Sequence, residues 1–90
     1  MDKSLEYTDI FGKKHDHTDV LRKYVKDGIT HILMEERGVS EKSFKQLDEL
    51  MSEVSNKIDD DIVNEADAFY KTGKRLNLYY EIIYDKLYNR

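Results

Sequence analysis

Apolar residues return at helical intervals along most of this chain. Between Thr18 and Arg37, the residues Leu21, Val25, Ile29 and Ile32 recur three or four positions apart, and Val20 and Tyr24 widen the stripe. That spacing predicts an amphipathic helix facing a core. Asp16 or Thr18 can start it, because a side-chain oxygen there accepts from a backbone N–H that lacks a helical partner. Gly38 ends it, since glycine enters the left-handed conformation of a helix terminus without a Cβ clash.

A second pattern follows Gly38-Val39-Ser40. With Ser40 as cap, Val39 and Phe44 occupy the two positions of a hydrophobic staple. Phe44, Leu47, Met51, Val54 and Ile58 then alternate in steps of three and four, a heptad seam. A later seam of Ile62, Ala66, Phe69, Gly73, Leu76, Tyr80, Ile83 and Leu87 keeps the same alternation, displaced by one residue, with the slip at "KIDDDIV". One helix over 41–88 could absorb the slip as a local change in winding. The favoured reading is a turn near Asp59 to Asp61, because a single helix of that length would leave half its seam without an intrachain partner. Carboxylates also favour a helix start, by roughly 0.3–1 kcal/mol each.

The prediction is therefore an all-α fold: a small antiparallel three-helix bundle with helices at about 18–37, 41–58 and 61–89. An N-terminal arm, 1–17, precedes it and can hold a short helix. The alternative is a helical hairpin with one long C-terminal helix, pairing as a dimeric coiled coil.

Composition narrows this further. Ninety residues allow one domain with a modest core. Hydrophobic residues at 39% suffice to fill it, and charged residues at 38% suit helices with solvated outer faces. Cysteine is absent, which removes disulfides, thiolate zinc sites and thiol nucleophiles. The opening "MDKSLEYTDIFGKK" has no apolar run of signal-peptide or membrane-span length, so a cytoplasmic protein with no membrane role is expected. A net charge of −4 disfavours nucleic acid as a partner, since electrostatic binders of phosphate show a basic surplus. The bias toward Lys, Asp, Ile, Tyr and Asn fits an AT-rich source such as a low-GC bacterium, its plasmids or its phages.

Candidate chemistry concentrates in two places. In "NLYYEIIYDKLYN", Tyr80, Tyr84 and Tyr88 form a stripe with Tyr79, Ile82 and Ile83 beside it. Two neighbouring helices alone would not cover that surface. Either Leu5, Tyr7, Ile10 and Phe11 fold back over it, or it is an oligomer or partner interface, where tyrosine offers large area at low entropic cost. The acidic run Asp59, Asp60 and Asp61 reads as a solvated helix start or as a docking surface for a basic partner. Tyr79, Tyr80, Tyr84, Tyr88, Asp59, Asp60 and Asp61 are the candidate partner-binding residues.

Other motifs carry less. Residues 37–47 resemble a helix-turn-helix, with Gly38-Val39-Ser40 as the turn. They depart from it at Met34, where alanine is usual, and in the length of the first helix. Lys42, Lys45 and Gln46 on the would-be reading face are mixed with Glu41, Asp48 and Glu49, which repel phosphate. His15, His17 and the pair His31 and Glu35 are ligand types at no metal-specific spacing, so no metal and no cofactor is expected. Lys71, Lys74 and Arg75 near Tyr70 and Tyr79 could hold single-stranded nucleic acid by stacking, but cations on a helix that starts acidic are more simply solvated. No nucleophile, base and oxyanion-hole set can be assembled, so the chain is not expected to be an enzyme. The resulting expectation is a non-enzymatic protein–protein interaction module, a small acidic regulator or inhibitor of a larger protein such as phages and mobile elements encode, with a homodimer open to it. A helix-turn-helix DNA-binding regulator is the alternative, and a structural coiled-coil dimer the third.

Overall fold

The structure, a computed structural model, describes residues 4–88. A two-stranded antiparallel hairpin, β1 (Tyr7–Thr8) and β2 (Lys14–His15), leads into four helices. These are α1 (His17–Arg37), α2 (Phe44–Lys57), α3 (Asp60–Lys71) and α4 (Leu76–Tyr88). The protein is mostly helical, and α1 is its hub, packing against each of the other three helices.

The long first helix forms as its periodicity requires. Leu21, Val25, Ile29 and Leu33 are all buried on one face. Gly38 has φ 66° and its N–H donates to the Met34 carbonyl, the left-handed cap that the sequence indicates. Buried Thr30 donates to the Lys26 carbonyl one turn back, so its hydroxyl costs little inside.

The start of α2 departs from expectation. Ser40 does not cap it. Its Oγ accepts from Lys42 N and its carbonyl from Ser43 N, closing a separate tight turn, so the helix begins only at Phe44. Phe44 is 78% exposed and joins neither a staple nor the seam; Leu50 and Val54 supply the buried face of α2 instead. A side chain in the first turn of a helix lies over the turn before it, which here points away from the core.

Lys57 ends α2 and Asp60 begins α3. Asp59 accepts from Ile62 N at 2.9 Å as the cap, and Asp60 and Asp61 stand in the first turn. Arg22 of α1 spans this corner, donating to the Ile58 carbonyl at 2.8 Å and to Asp60 at 2.6 Å.

The expected third helix at 61–89 is two helices. Gly73, placed by its seam at a core position, has φ 82° and stands in the exposed turn after α3. Thr72 Oγ1 accompanies the break by donating to the Phe69 carbonyl. The gain is burial: α4 folds back against α1 and α3, and Tyr79, Ile83 and Tyr84 enter the common core with Val63 and Ala66. A straight helix would have left that apolar half in water.

The arm is a hairpin and not a short helix. Cover of the α4 tyrosines by the arm, one of the two readings of that surface, is not made by Ile10 or Phe11. Leu5 alone packs on the core, while Ile10 is 94% and Phe11 89% exposed. Among the described residues no helix is long and apolar enough to cross a membrane.

Candidate docking groove between α1 and α4

The four tyrosines of α4 meet different fates. Tyr79 is buried and donates to Glu65 at 3.1 Å and to the Ile62 carbonyl at 3.4 Å. Tyr84 is buried and donates to Glu36 of α1. Tyr88, half-buried, stacks on Tyr84 and donates to Glu53 of α2 at 3.0 Å. Glu53 in turn holds Arg37 through both guanidinium nitrogens, and the Lys57 ammonium sits 4.4 Å above the Tyr88 ring. These three hydroxyls tie α4 to its neighbours through carboxylates.

Their ionisation follows. Burial first, and then the hydrogen bond to Glu65, push the Tyr79 hydroxyl far above its ordinary 10.0. Burial and then Glu53 raise Tyr88 to about 12. The carboxylates move the other way: Arg37 first, then Tyr88, hold Glu53 below 4.5, and Lys86, then Tyr79, do the same for Glu65.

Tyr80 is different. Its hydroxyl has no hydrogen-bond partner among the described residues, and its ring lies directly on Gly28 of α1. A Cβ built at Gly28 would fall 2.5 Å from Tyr80 Cγ, so only glycine permits this approach. The result is an open groove of about 540 Å³ between α1 and α4, with Tyr24, Ile32 and Tyr80 as its apolar walls. Asp27, Glu35 and Glu81 rim it. Lys23 pairs with Asp27 at the surface and offsets part of the rim's negative charge, and His31 Nε2 lies 3.3 Å from Glu35. Leu78 and Ile82, each more than half exposed, flank Glu81 on the outer shoulder of α4.

A second exposed feature is the hairpin tip. Asp9 organises it: Oδ1 accepts from Phe11 N and Lys13 N, both at 2.9 Å, and Oδ2 meets His15 Nε2 at 2.8 Å. Gly12, at φ 81°, closes the turn by donating to the Asp9 carbonyl. The His15 bond is the main reason that Asp9 stays below its usual 3.8. Below the hairpin, Leu5 N donates to Nδ1 of His17, the first residue of α1, and His17 Nε2 meets Asp67 Oδ1 of α3 at 2.7 Å, joining the lead-in segment to both helices. Nδ1 as acceptor requires Nε2 to carry the proton.

The candidate residues named from sequence therefore separate. Tyr80 lines the groove, whereas Tyr79 and Tyr84 are core and Tyr88 anchors α4. Asp59 caps α3, Asp60 clamps α1, and Asp61 is exposed on the α2–α3 corner. The aspartates are not part of the groove lining. His15 and His17 serve separate carboxylates, and among the described residues no three His, Cys, Asp or Glu side chains come together as a metal set. Lys71 pairs with Asp67, Lys74 lies over Phe69 and Tyr79 is internal. Lys42, Lys45 and Gln46 are exposed among Glu41, Asp48 and Glu49.

Gly28 and the tip were missed, and both left signals. A lone glycine inside "VKDGITHIL" costs a helix about 1 kcal/mol and so implies a close neighbour. "DIFGK" has an Asp at its start and a Gly at the left-handed position of a turn. Comparison with protein-family models, with curated proteins and with solved structures finds no match to this chain.

Proposed function

We propose that this chain is a non-enzymatic protein-binding module that takes a basic, apolar segment of a larger protein into the α1–α4 groove and thereby regulates or inhibits it. The observation that carries this reading is the groove itself: apolar walls inside an acidic rim, held open by Tyr80 on Gly28. Apolar walls supply affinity, and rim carboxylates select for lysine or arginine beside the anchor residues. An amphipathic helix with leucine or phenylalanine anchors is the occupant such a groove suits. Leu78 and Ile82 extend the apolar surface past the rim.

The test is a titration of the isotope-labelled chain with a synthetic amphipathic helical peptide of leucine, phenylalanine and lysine, followed by amide resonance shifts. Shifts should centre on Gly28, Ile32, Asn77 and Glu81 and disappear in Ile32→Lys. Shifts spread over the α2–α3 corner, or unaltered in Ile32→Lys, would assign binding elsewhere.

A further inference from the structure

The hairpin tip carries the chemistry that the groove accepts. Ile10 and Phe11 are the two most exposed large apolar residues among those described, and Lys13 and Lys14 follow them after Gly12. The groove offers apolar walls with Asp27, Glu35 and Glu81 around them. Resting on the groove reading above, we infer that the first occupant of the groove is the hairpin tip of a second copy of this chain.

Two observations support a second copy over the chain's own groove. The tip is not seated at home: both apolar side chains are in solvent while the groove stands open. It is also held in shape, since Asp9 fixes Phe11 N, Lys13 N and His15. A preorganised apolar pair loses little entropy on docking.

The arrangement is tip to groove, two different surfaces. Reciprocal seating, each tip in the other copy's groove, satisfies both and closes a two-fold dimer, whereas one-way seating would propagate. Phe11 is the anchor, and Lys13 and Lys14 face the rim.

Analytical ultracentrifugation of the full chain tests this. Wild type should move with concentration from 10.7 kDa to twice that mass. Phe11→Ser, which kills the tip, and the pair Asp27→Lys with Glu81→Lys, which reverses the rim, should each weaken association at least about tenfold. Both alter exposed side chains, so their circular dichroism should match wild type. Mixing the two variants should give a one-to-one pair tighter than either variant alone and weaker than wild type, because one of the two tip-in-groove contacts is intact in it. A wild-type mass fixed at 10.7 kDa, or a mixture that associates no better than the separate variants, overturns the inference. So does wild type that stays monomeric and binds anionic phospholipid vesicles through Phe11, which would make the tip a membrane contact. If wild type stays monomeric while the synthetic amphipathic peptide still moves the groove resonances, the second copy is wrong and the groove reading stands. If the peptide also fails, both fall.

Discussion

The C-terminal tyrosine helix and the N-terminal hairpin tip are both rich in apolar surface, and the fold treats them oppositely. In α4, Tyr79, Ile83 and Tyr84 are absorbed into the core, and three of the four hydroxyls end on glutamates of α1, α2 and α3. At the tip, Ile10 and Phe11 have nothing over them although an Asp9 network holds the backbone beneath them. The difference teaches that local apolar density does not identify a binding surface. What matters is whether the rest of the chain can reach it: α4 reaches α1 because Gly73 breaks the helix, whereas the tip extends beyond any helix.

The comparison can be broken most severely at Ile83. It is fully buried, so Ile83→Ala should lower unfolding free energy by about 2–5 kcal/mol in urea, transfer and cavity terms together. A loss below 1 kcal/mol would mean that α4 is not docked as described. Gly28→Ala comes next. Overlap with the Tyr80 ring costs about 1–3 kcal/mol, offset by about 1 kcal/mol of helix propensity. Lower stability together with displaced Tyr80 ring resonances is expected; a simple stabilisation would show the groove wall to be loose.

Titration sharpens the same contrast. Glu53, Glu65 and Asp67 lie below their unfolded values of 4.5, 4.5 and 3.8, so the unfolded chain binds protons first as pH falls. Their contribution is full above those values and is lost as pH drops through the folded ones. Tyr79 and Tyr88 are raised above 10.0, so their contribution is full below pH 10 and lost as pH rises toward about 12 for Tyr88. Urea midpoints should form a plateau that falls on both sides, and phenolate absorbance of these two residues should appear together with unfolding. The smallest effect is at the tip: Phe11→Ser should change stability by no more than about 0.5 kcal/mol, since the residue is 89% exposed. A larger loss would mean that the hairpin supports the fold.

Much of the helical reading was available locally. The stripe through Leu21, Val25 and Ile29, the Gly38 cap and the acidic start of α3 each depend on residues within a few positions of one another. Phe44 and Ser40 were misread because a staple and a tight turn share the same local signature, and only the position of the core separates them. The surroundings of Tyr79, Tyr84 and Tyr88 are not legible locally, because their hydroxyls are held by Glu65, Glu36 and Glu53, residues that no spacing links to α4. Of the seven proposed partner-binding residues, Tyr80 alone lines the groove, and it does so because of a glycine more than fifty positions earlier.

What the sequence by itself determined is where helices can form and which stripe of each is apolar, since periodicity and capping act over a turn or two. Tertiary structure decided which apolar residues stay outside. Burial is a property of whole surfaces meeting, and it required α4 to fold back at Gly73 and rest on Gly28 before a groove, or an uncovered tip, could exist.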